Sequence, residues 1–351
     1  MIRKAILILL CALLALCPLA PALAETPTPV PPTPSAEPTP EPTATPEPTP
    51  EPTPDPALAP IITLTGGDSL TVDAAFTFVD PGATARDYLG ADLTDRITVE
   101  GAVVPYLVGE YTLTYAVADD HGHSAQVQRT VTVVPVQLPE VVQPPEKTVY
   151  LTFDDGPSNY TAILLDILKQ YDVKATFFVT CRQEKYRDLV KRASEEGHAI
   201  GLHSCTHNYA SVYASEEAFM KELNDVSDVV FSVTGKRTNL VRFPGGSSNT
   251  VSRKYQKGIM TQLVNDLEKD GYVYFDWNVV SGDTDGARTR EEVARNVTST
   301  LKNDYSIVLQ HDIKGFSIDA VEDIIKYGIE NGYTFLALDE KSPTAHHKVN
   351  N

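Results

Sequence analysis

The rhythm of apolar positions divides the chain. Between residues 60 and 134 the period is two. Tyr111, Leu113, Tyr115 and Val117 alternate with Thr112, Thr114 and Ala116, and Ala125, Val127, Val131 and Val133 fall in the same phase. Successive strand residues face opposite sides of a sheet, so this alternation predicts half-buried strands. Shorter runs at 61–64 and 70–72 join them. Turn residues separate the runs: Gly66-Gly67-Asp68, Asp80-Pro81-Gly82 and Asp119-Asp120-His121-Gly122. The pattern predicts a small all-β sandwich. Asp119 and Asp120 read as turn formers rather than calcium ligands.

From Thr148 the period switches. Apolar runs at 149–153, 175–179, 199–202, 240–243, 272–275, 306–309 and 334–337 predict strands. Helical spacing predicts helices at 163–171, 186–197, 216–234 and 260–269. In the first of these, Ile163, Leu164, Ile167 and Leu168 share a face. Repeated βα units build a parallel sheet or barrel. Polar residues at the C-terminal ends of such strands are candidates for chemistry.

The first 59 residues carry no such rhythm. Arg3 and Lys4 precede an apolar run to about Leu19, and Ala22-Leu23-Ala24 supplies small residues at a cleavage site. This is the layout of a secretory signal cleaved after Ala24, with an uncleaved membrane anchor as the alternative. Residues 25–59 repeat Glu-Pro-Thr-Pro. Fifteen of the 26 prolines stand between Pro27 and Pro60. A stretch so poor in apolar residues cannot offset its ordering entropy, and its prolines favour an extended, disordered linker. A second short linker is expected at 135–147, and a tail at 341–351.

Charge narrows the partners. The net charge is −18, and it becomes more negative once Arg3 and Lys4 are removed. Such a surface repels nucleic acid and anionic lipid. Export changes the meaning of the cysteines. Cys11 and Cys17 leave with the signal, so the mature chain keeps Cys181 and Cys205, which form either one disulfide or two buried thiols.

Five polar motifs sit at strand ends. Asp154-Asp155-Gly156-Pro157 follows the first strand of the βα region, and paired carboxylates there can divide metal binding from base catalysis. His203 and His207 are four apart and can meet one metal from one side of a helical turn. Together with Asp155 they make a two-His-one-carboxylate set with open positions. Cys205 lies between them and is read as packing or disulfide. Arg242-Phe243-Pro244-Gly245-Gly246 joins an arginine able to hold a carboxylate ionised to glycines whose amides can face an oxyanion. The segment from Trp277 to Asp283 and the strand end at His311 complete the group. A histidine there can protonate a leaving amine, and a nearby carboxylate favours its charged form.

Residues 148–340 resemble the polysaccharide deacetylase (NodB-homology) domain of carbohydrate esterase family 4. The resemblance rests on Thr152-Phe153-Asp154-Asp155-Gly156-Pro157, His203-Ser204-Cys205-Thr206-His207, Arg242-Phe243-Pro244-Gly245-Gly246 and His311. The run from Asp92 through 109–115 to Val133 is similar to bacterial immunoglobulin-like modules. The resemblance implies a distorted (β/α) barrel that removes N-acetyl groups from sugars with a divalent metal, Zn²⁺ or one of Co²⁺, Ni²⁺ and Mn²⁺. It implies Asp154 as base, Asp155, His203 and His207 as metal ligands, His311 as acid, and Arg242 as the group that orients Asp154. Asp283 stands where a carboxylate tunes the acid. Two departures are visible. Val280 and Thr284 replace an Asp and a Trp, and Gly245 replaces a common aromatic, which removes a sugar-facing contact while keeping the amide for the oxyanion. The expected substrate is peptidoglycan N-acetylglucosamine outside the cell. Alternatives are poly-N-acetylglucosamine, chitin oligomers, acetylated xylan, or a surface protein that only binds carbohydrate.

Overall fold

A computed structural model of the chain describes residues 58–74, 78–105 and 107–350. The signal segment 1–24 and nearly all of the proline-rich linker 25–59 lie outside the described residues. Among the described residues no helix is long and apolar enough to cross a membrane.

The first module is the expected sandwich. Strands β1 (Ile61–Leu64) and β3 (Ala83–Arg86) form one antiparallel pair. Strands β2 (Ser69–Asp73), β4 (Thr98–Glu100), β5 (Gly109–Ala118) and β6 (Ser124–Val134) form a sheet of order β2-β6-β5-β4. Leu113, Tyr115 and Val131 are buried between them. Arg129 occupies the one inward position of β6 that the apolar series 125, 127, 131, 133 skips, and it is wholly buried. Its guanidinium meets Asp80, donates to the carbonyls of Thr65, Gly67 and Gly82, and donates to the Tyr115 hydroxyl. A buried cation is tolerable only with such complete pairing. Asp119 accepts from the amides of His121 and His123, so it shapes its own turn as expected.

Residues 135–147 run against the second module. The Val142 amide donates to the Lys341 carbonyl, and a side chain at Gly271 would collide with Val136. Lys147 then donates to Asn331 and lies over the Tyr333 ring.

The second module is an incomplete parallel barrel. In chain order it contains β7 (Thr148–Asp154), α1 (Thr161–Gln170), β8 (Thr176–Val179), α2 (Arg187–Glu195), β9 (Ala199–Leu202), α3 (Tyr209–Val212), α4 (Glu216–Thr234), β10 (Leu240–Val241), α5 (Ile259–Lys269), β11 (Val273–Tyr274), β12 (Val279–Val280), α6 (Arg290–Thr298), β13 (Tyr305–His311), α7 (Gly315–Asp319), α8 (Val321–Glu330) and β14 (Thr334–Phe335). The sheet order is β11-β10-β9-β8-β7-β13-β12, all parallel, with β14 on the lower end of β7. β7 and β13 are buried along nearly their whole length, as befits central strands covered on both faces.

Several details differ from the sequence expectation. In α1 the buried stripe is Thr161, Leu164, Leu165 and Leu168, and Ile163 is exposed. The i, i+3, i+4, i+7 pattern is kept but rotated by one position. Helices α6 and α8 were not anticipated. The first opens on a capping box between Thr289 and Glu292, and the second buries Val321, Ile324, Ile325 and Gly328. Residues 341–350, set apart above as a tail, pack against β11. The Asp276 amide donates to Thr344, the His347 amide donates to Asp276, and the His346 ring stacks on Tyr274 at 3.7 Å. They cover an edge strand that would otherwise present unpaired backbone.

Candidate active site

The polar motifs converge at the C-terminal ends of β7, β9, β10 and β13. β7 ends on Asp154. The next residue, Asp155, takes a left-handed backbone with φ of 72°, a conformation that side-chain-bearing residues rarely adopt. Its Oδ1 lies 3.7 Å from His203 Nε2 and 3.3 Å from His207 Nε2. The three donor atoms fall within 4.8 Å of one another. Asp155 Oδ1 is buried and accepts no hydrogen bond. Such an orphaned carboxylate oxygen is costly, and a cation shared with the two imidazoles would satisfy it. The donor set therefore fits a divalent metal.

The histidines are prepared for that role. His203 Nδ1 sits 2.7 Å from the Arg242 carbonyl. A carbonyl only accepts, so Nδ1 carries the proton and Nε2 keeps its lone pair toward Asp155. Burial holds the His203 pKa below its ordinary value, which keeps the ring neutral. For Asp155, burial pushes upward, but the surrounding His203, His207, His311 and Arg182 outweigh it and keep the carboxyl below the usual range.

The expected helical turn carrying His203 and His207 is absent. Residues 203–208 form a bend, with His207 at φ 54°. The two imidazoles meet because the bend doubles back. Glu222 on α4 fixes it, accepting from the Cys205 amide at 2.9 Å, the Thr206 amide at 2.7 Å and the Thr206 hydroxyl at 2.6 Å. Cys205 is bonded to Cys181 just beyond β8, which resolves the alternatives in favour of the disulfide. A Cβ at Gly156 would stand 2.3 Å from the Asp312 carboxylate, so the turn after Asp155 requires glycine.

Asp154 is held from the other side. Arg242 is wholly buried and places Nη1 3.0 Å from Asp154 Oδ1. Its remaining donors reach Thr152, Phe275 O and Asp276 O. All of these contacts pin the guanidinium, so Asp154 meets a rigid cation.

His311 lies opposite Asp154 in the β13–β7 register. Its Nδ1 is 2.9 Å from Asp283 Oδ1, and its amide donates to Asp283 Oδ2 at 2.8 Å. Burial disfavours charge on His311, but the Asp283 hydrogen bond and the charges of Asp283, Asp154 and Asp155 prevail and raise its pKa to about 9. Burial pushes Asp283 up, and its bonds to His311 and Ser317 bring it below the ordinary value. At neutral pH this is an imidazolium locked to a carboxylate through Nδ1, with Nε2 turned away from Asp283.

Gly245 is exposed at φ 77°. Its amide makes no protein hydrogen bond among the described residues. The departures noted in the sequence are exposed too. Val280 lies at the end of β12, and Thr284 lies beyond it.

Residues 142–264 match the family model described as polysaccharide deacetylase, and residues 62–133 match that of a bacterial surface protein, Ig-like domain. The putative polysaccharide deacetylase YheN of Bacillus subtilis is 37% identical over 207 residues, which span 57% of this chain and 70% of that protein. The chain belongs to the polysaccharide deacetylase family. A peptidoglycan-N-acetylglucosamine deacetylase of Bacillus cereus is 38% identical over 204 residues, spanning 56% of this chain and 71% of that protein. The catalytic domain of peptidoglycan N-acetylglucosamine deacetylase from Eubacterium rectale superposes with a TM-score of 0.60 at 49% identity, covering 61% of this chain and 98% of that one.

This polysaccharide deacetylase uses four further residues that the motifs did not reveal. Glu222 holds the histidine bend. Asp276 is buried and accepts from the Ser247 amide and hydroxyl, which anchors the loop bearing Gly245. Ser317 donates to Asp283 at 2.7 Å. Asp312, wholly buried, accepts from Thr161 behind the Asp155 turn. Only Glu222 left a trace in the sequence, as an acid within the apolar stripe Phe219, Leu223, Val226 and Val230. The others come from segments whose contacts are set by chain reversal rather than local pattern.

Proposed function

We propose that this deacetylase removes the N-acetyl group from N-acetylglucosamine of peptidoglycan, outside the cell. One observation carries the chemistry: the orphaned Asp155 oxygen, shared with His203 and His207, stands between an arginine-held carboxylate and a carboxylate-held imidazolium. A divalent cation held by Asp155, His203 and His207, for which Zn²⁺ is the first choice, would supply Lewis acidity to water and to the acyl oxygen. Asp154, fixed by Arg242, accepts the proton of the attacking water. The Gly245 amide donates to the oxygen that becomes negative as the carbonyl carbon turns tetrahedral. His311 gives its proton to the nitrogen as the C–N bond breaks. Acetate and a free amine leave, and the proton taken by Asp154 balances the one given by His311.

The polymer is argued from similarity, since two of the related proteins above are named for peptidoglycan N-acetylglucosamine. Location is argued from the signal-like first 24 residues and from the Cys181–Cys205 disulfide, which suits an oxidising compartment. Acetate release by the mature chain from peptidoglycan, poly-N-acetylglucosamine and acetylxylan, measured side by side, tests the assignment. Peptidoglycan should be the fastest. Faster release from either other polymer refutes the substrate, and full activity after removal of metal by a chelator refutes the metal. Near-normal activity of Asp154→Asn refutes the base.

A further inference from the structure

Tyr209 opens the short helix α3, two residues after His207, and its ring stands edge-on to the His207 ring with centroids 5.7 Å apart. The other side of the ring packs against Tyr213, at 5.5 Å. Tyr213 is wholly buried, and its hydroxyl is committed to the Pro244 carbonyl at 2.7 Å. Tyr209 differs. It is only partly buried, and its hydroxyl has no protein hydrogen-bond partner among the described residues. That hydroxyl lies 2.3 Å from where a Cβ on Gly245 would be. A side chain at 245 and the present position of Tyr209 therefore exclude each other. The left-handed φ of Gly245 points the same way.

A phenol held by two aromatic neighbours loses little freedom when it forms a hydrogen bond. Its free O–H and the free amide of exposed Gly245 are neighbours at the mouth of the site. They do not serve the same atom. The amide proton and the Cβ position leave the residue in different directions, and the phenol is on the Cβ side. The amide faces the acyl oxygen in the reading above, so the phenol lines the rim beside it. We propose that Tyr209 is a specificity-determining residue whose hydroxyl hydrogen-bonds a ring hydroxyl of the sugar that bears the acetamide. The sugar-facing contact that Gly245 lacks is then supplied by a side chain from a different segment. The inference rests on the deacetylase reading of the site.

A contact made equally in the bound substrate and at the transition state alters KM and leaves kcat unchanged. Losing one neutral hydrogen bond should raise KM by about 3- to 10-fold. The test uses the full mature chain, supplied with Zn²⁺, and its Tyr209→Phe variant, which keeps the ring and removes one oxygen. A tetramer of N-acetylglucosamine is the ligand. Its Kd is measured by calorimetry on each protein carrying Asp154→Asn, and kcat and KM are measured by acetate release on the active forms. The expected result is a higher Kd and KM in the phenylalanine variant, with kcat within about twofold and Zn²⁺ affinity unchanged. Unchanged ligand affinity overturns the proposal. So does a kcat loss at constant KM, which would put the hydroxyl on the reacting atoms, and so does weakened Zn²⁺ binding, which would make it a support of His207. If the wild-type chain bound the tetramer but released no acetate, the deacetylase reading would fail while the calorimetric comparison still judged Tyr209.

Discussion

Replacing Asp283 by Asn isolates what the carboxylate does for His311. In the native protein burial works against the charged ring, and Asp283 supplies both the Nδ1 hydrogen bond and the nearest negative charge that raise the pKa to about 9. In Asp283→Asn the charge is gone. The amide oxygen can still accept from the His311 backbone and Ser317, so the fold keeps those two bonds. The amide nitrogen then faces Nδ1 and turns it into an acceptor. What remains is burial, which lowers the pKa, against the weaker pull of Asp154 and Asp155. The pKa should return to about 6.5 or below, the ordinary value for histidine. At pH 8 the protonated fraction would fall from about nine-tenths to about three-hundredths, so kcat should drop roughly 30-fold at that pH, and much less at pH 6. The assay is the pH dependence of kcat for acetate release by both proteins. The wild-type alkaline limb should lie near pH 9 and the variant limb at least two units lower. A variant whose kcat is reduced by the same factor at every pH would refute the reasoning. The same pair bears on stability. His311 has a raised folded-state pKa, so its contribution is complete below about pH 6.5 and disappears as pH rises through about 9. A melting-temperature profile that was flat between those values would contradict this.

Three other outcomes are expected. Glu222→Gln should weaken Zn²⁺ binding by about 10- to 100-fold, because an amide cannot accept all three donors of the histidine bend; competition with a chromogenic chelator reads this. Replacing Cys181 and Cys205 by Ser should cost about 3 kcal/mol of stability for a closure spanning 24 residues, measured by denaturant unfolding without reductant. Arg129→Met should destabilise the immunoglobulin-like module by about 3–5 kcal/mol, since Asp80 and three carbonyls lose their partner; acetate release should stay at the wild-type rate, and a parallel loss of activity would show that the two modules are coupled.

Much of the site was legible because its chemistry is written at strand ends. Asp154, Asp155, Arg242 and His311 each end or follow an apolar run, so periodicity placed them on one rim before any coordinate was known. The histidine pair was legible as residues but not as geometry. His203 and His207 meet through a bend stabilised by Glu222 and the disulfide, and four-residue spacing alone suggests a helix. Helix α6 was written in the sequence as Thr289 and Glu292, a capping box passed over because the segment between β12 and β13 has few apolar residues. Asp276 was set aside as standing too early for the fourth motif, yet it anchors the Gly245 loop. Its role depends on β10 and β11 lying side by side, which no local pattern records. The buried face of α1 was misplaced by one residue because Ile163 and Leu165 flank the stripe on opposite sides with similar hydrophobicity.

The direction of β7 carries a consequence for how the enzyme is presented to its polymer. The chain enters the barrel at Thr148, and the reactive carboxylates lie at the far end of that strand, seven residues on, a rise of about 20 Å. Everything N-terminal of Thr148 therefore joins the barrel from behind. A chain tethered through its N-terminal segments would hold the barrel with its catalytic mouth pointing outward, as a hand holds a brush. The reach of the assembly would add to the working face, and lengthening the tether would widen the area treated without turning the mouth back toward the anchor.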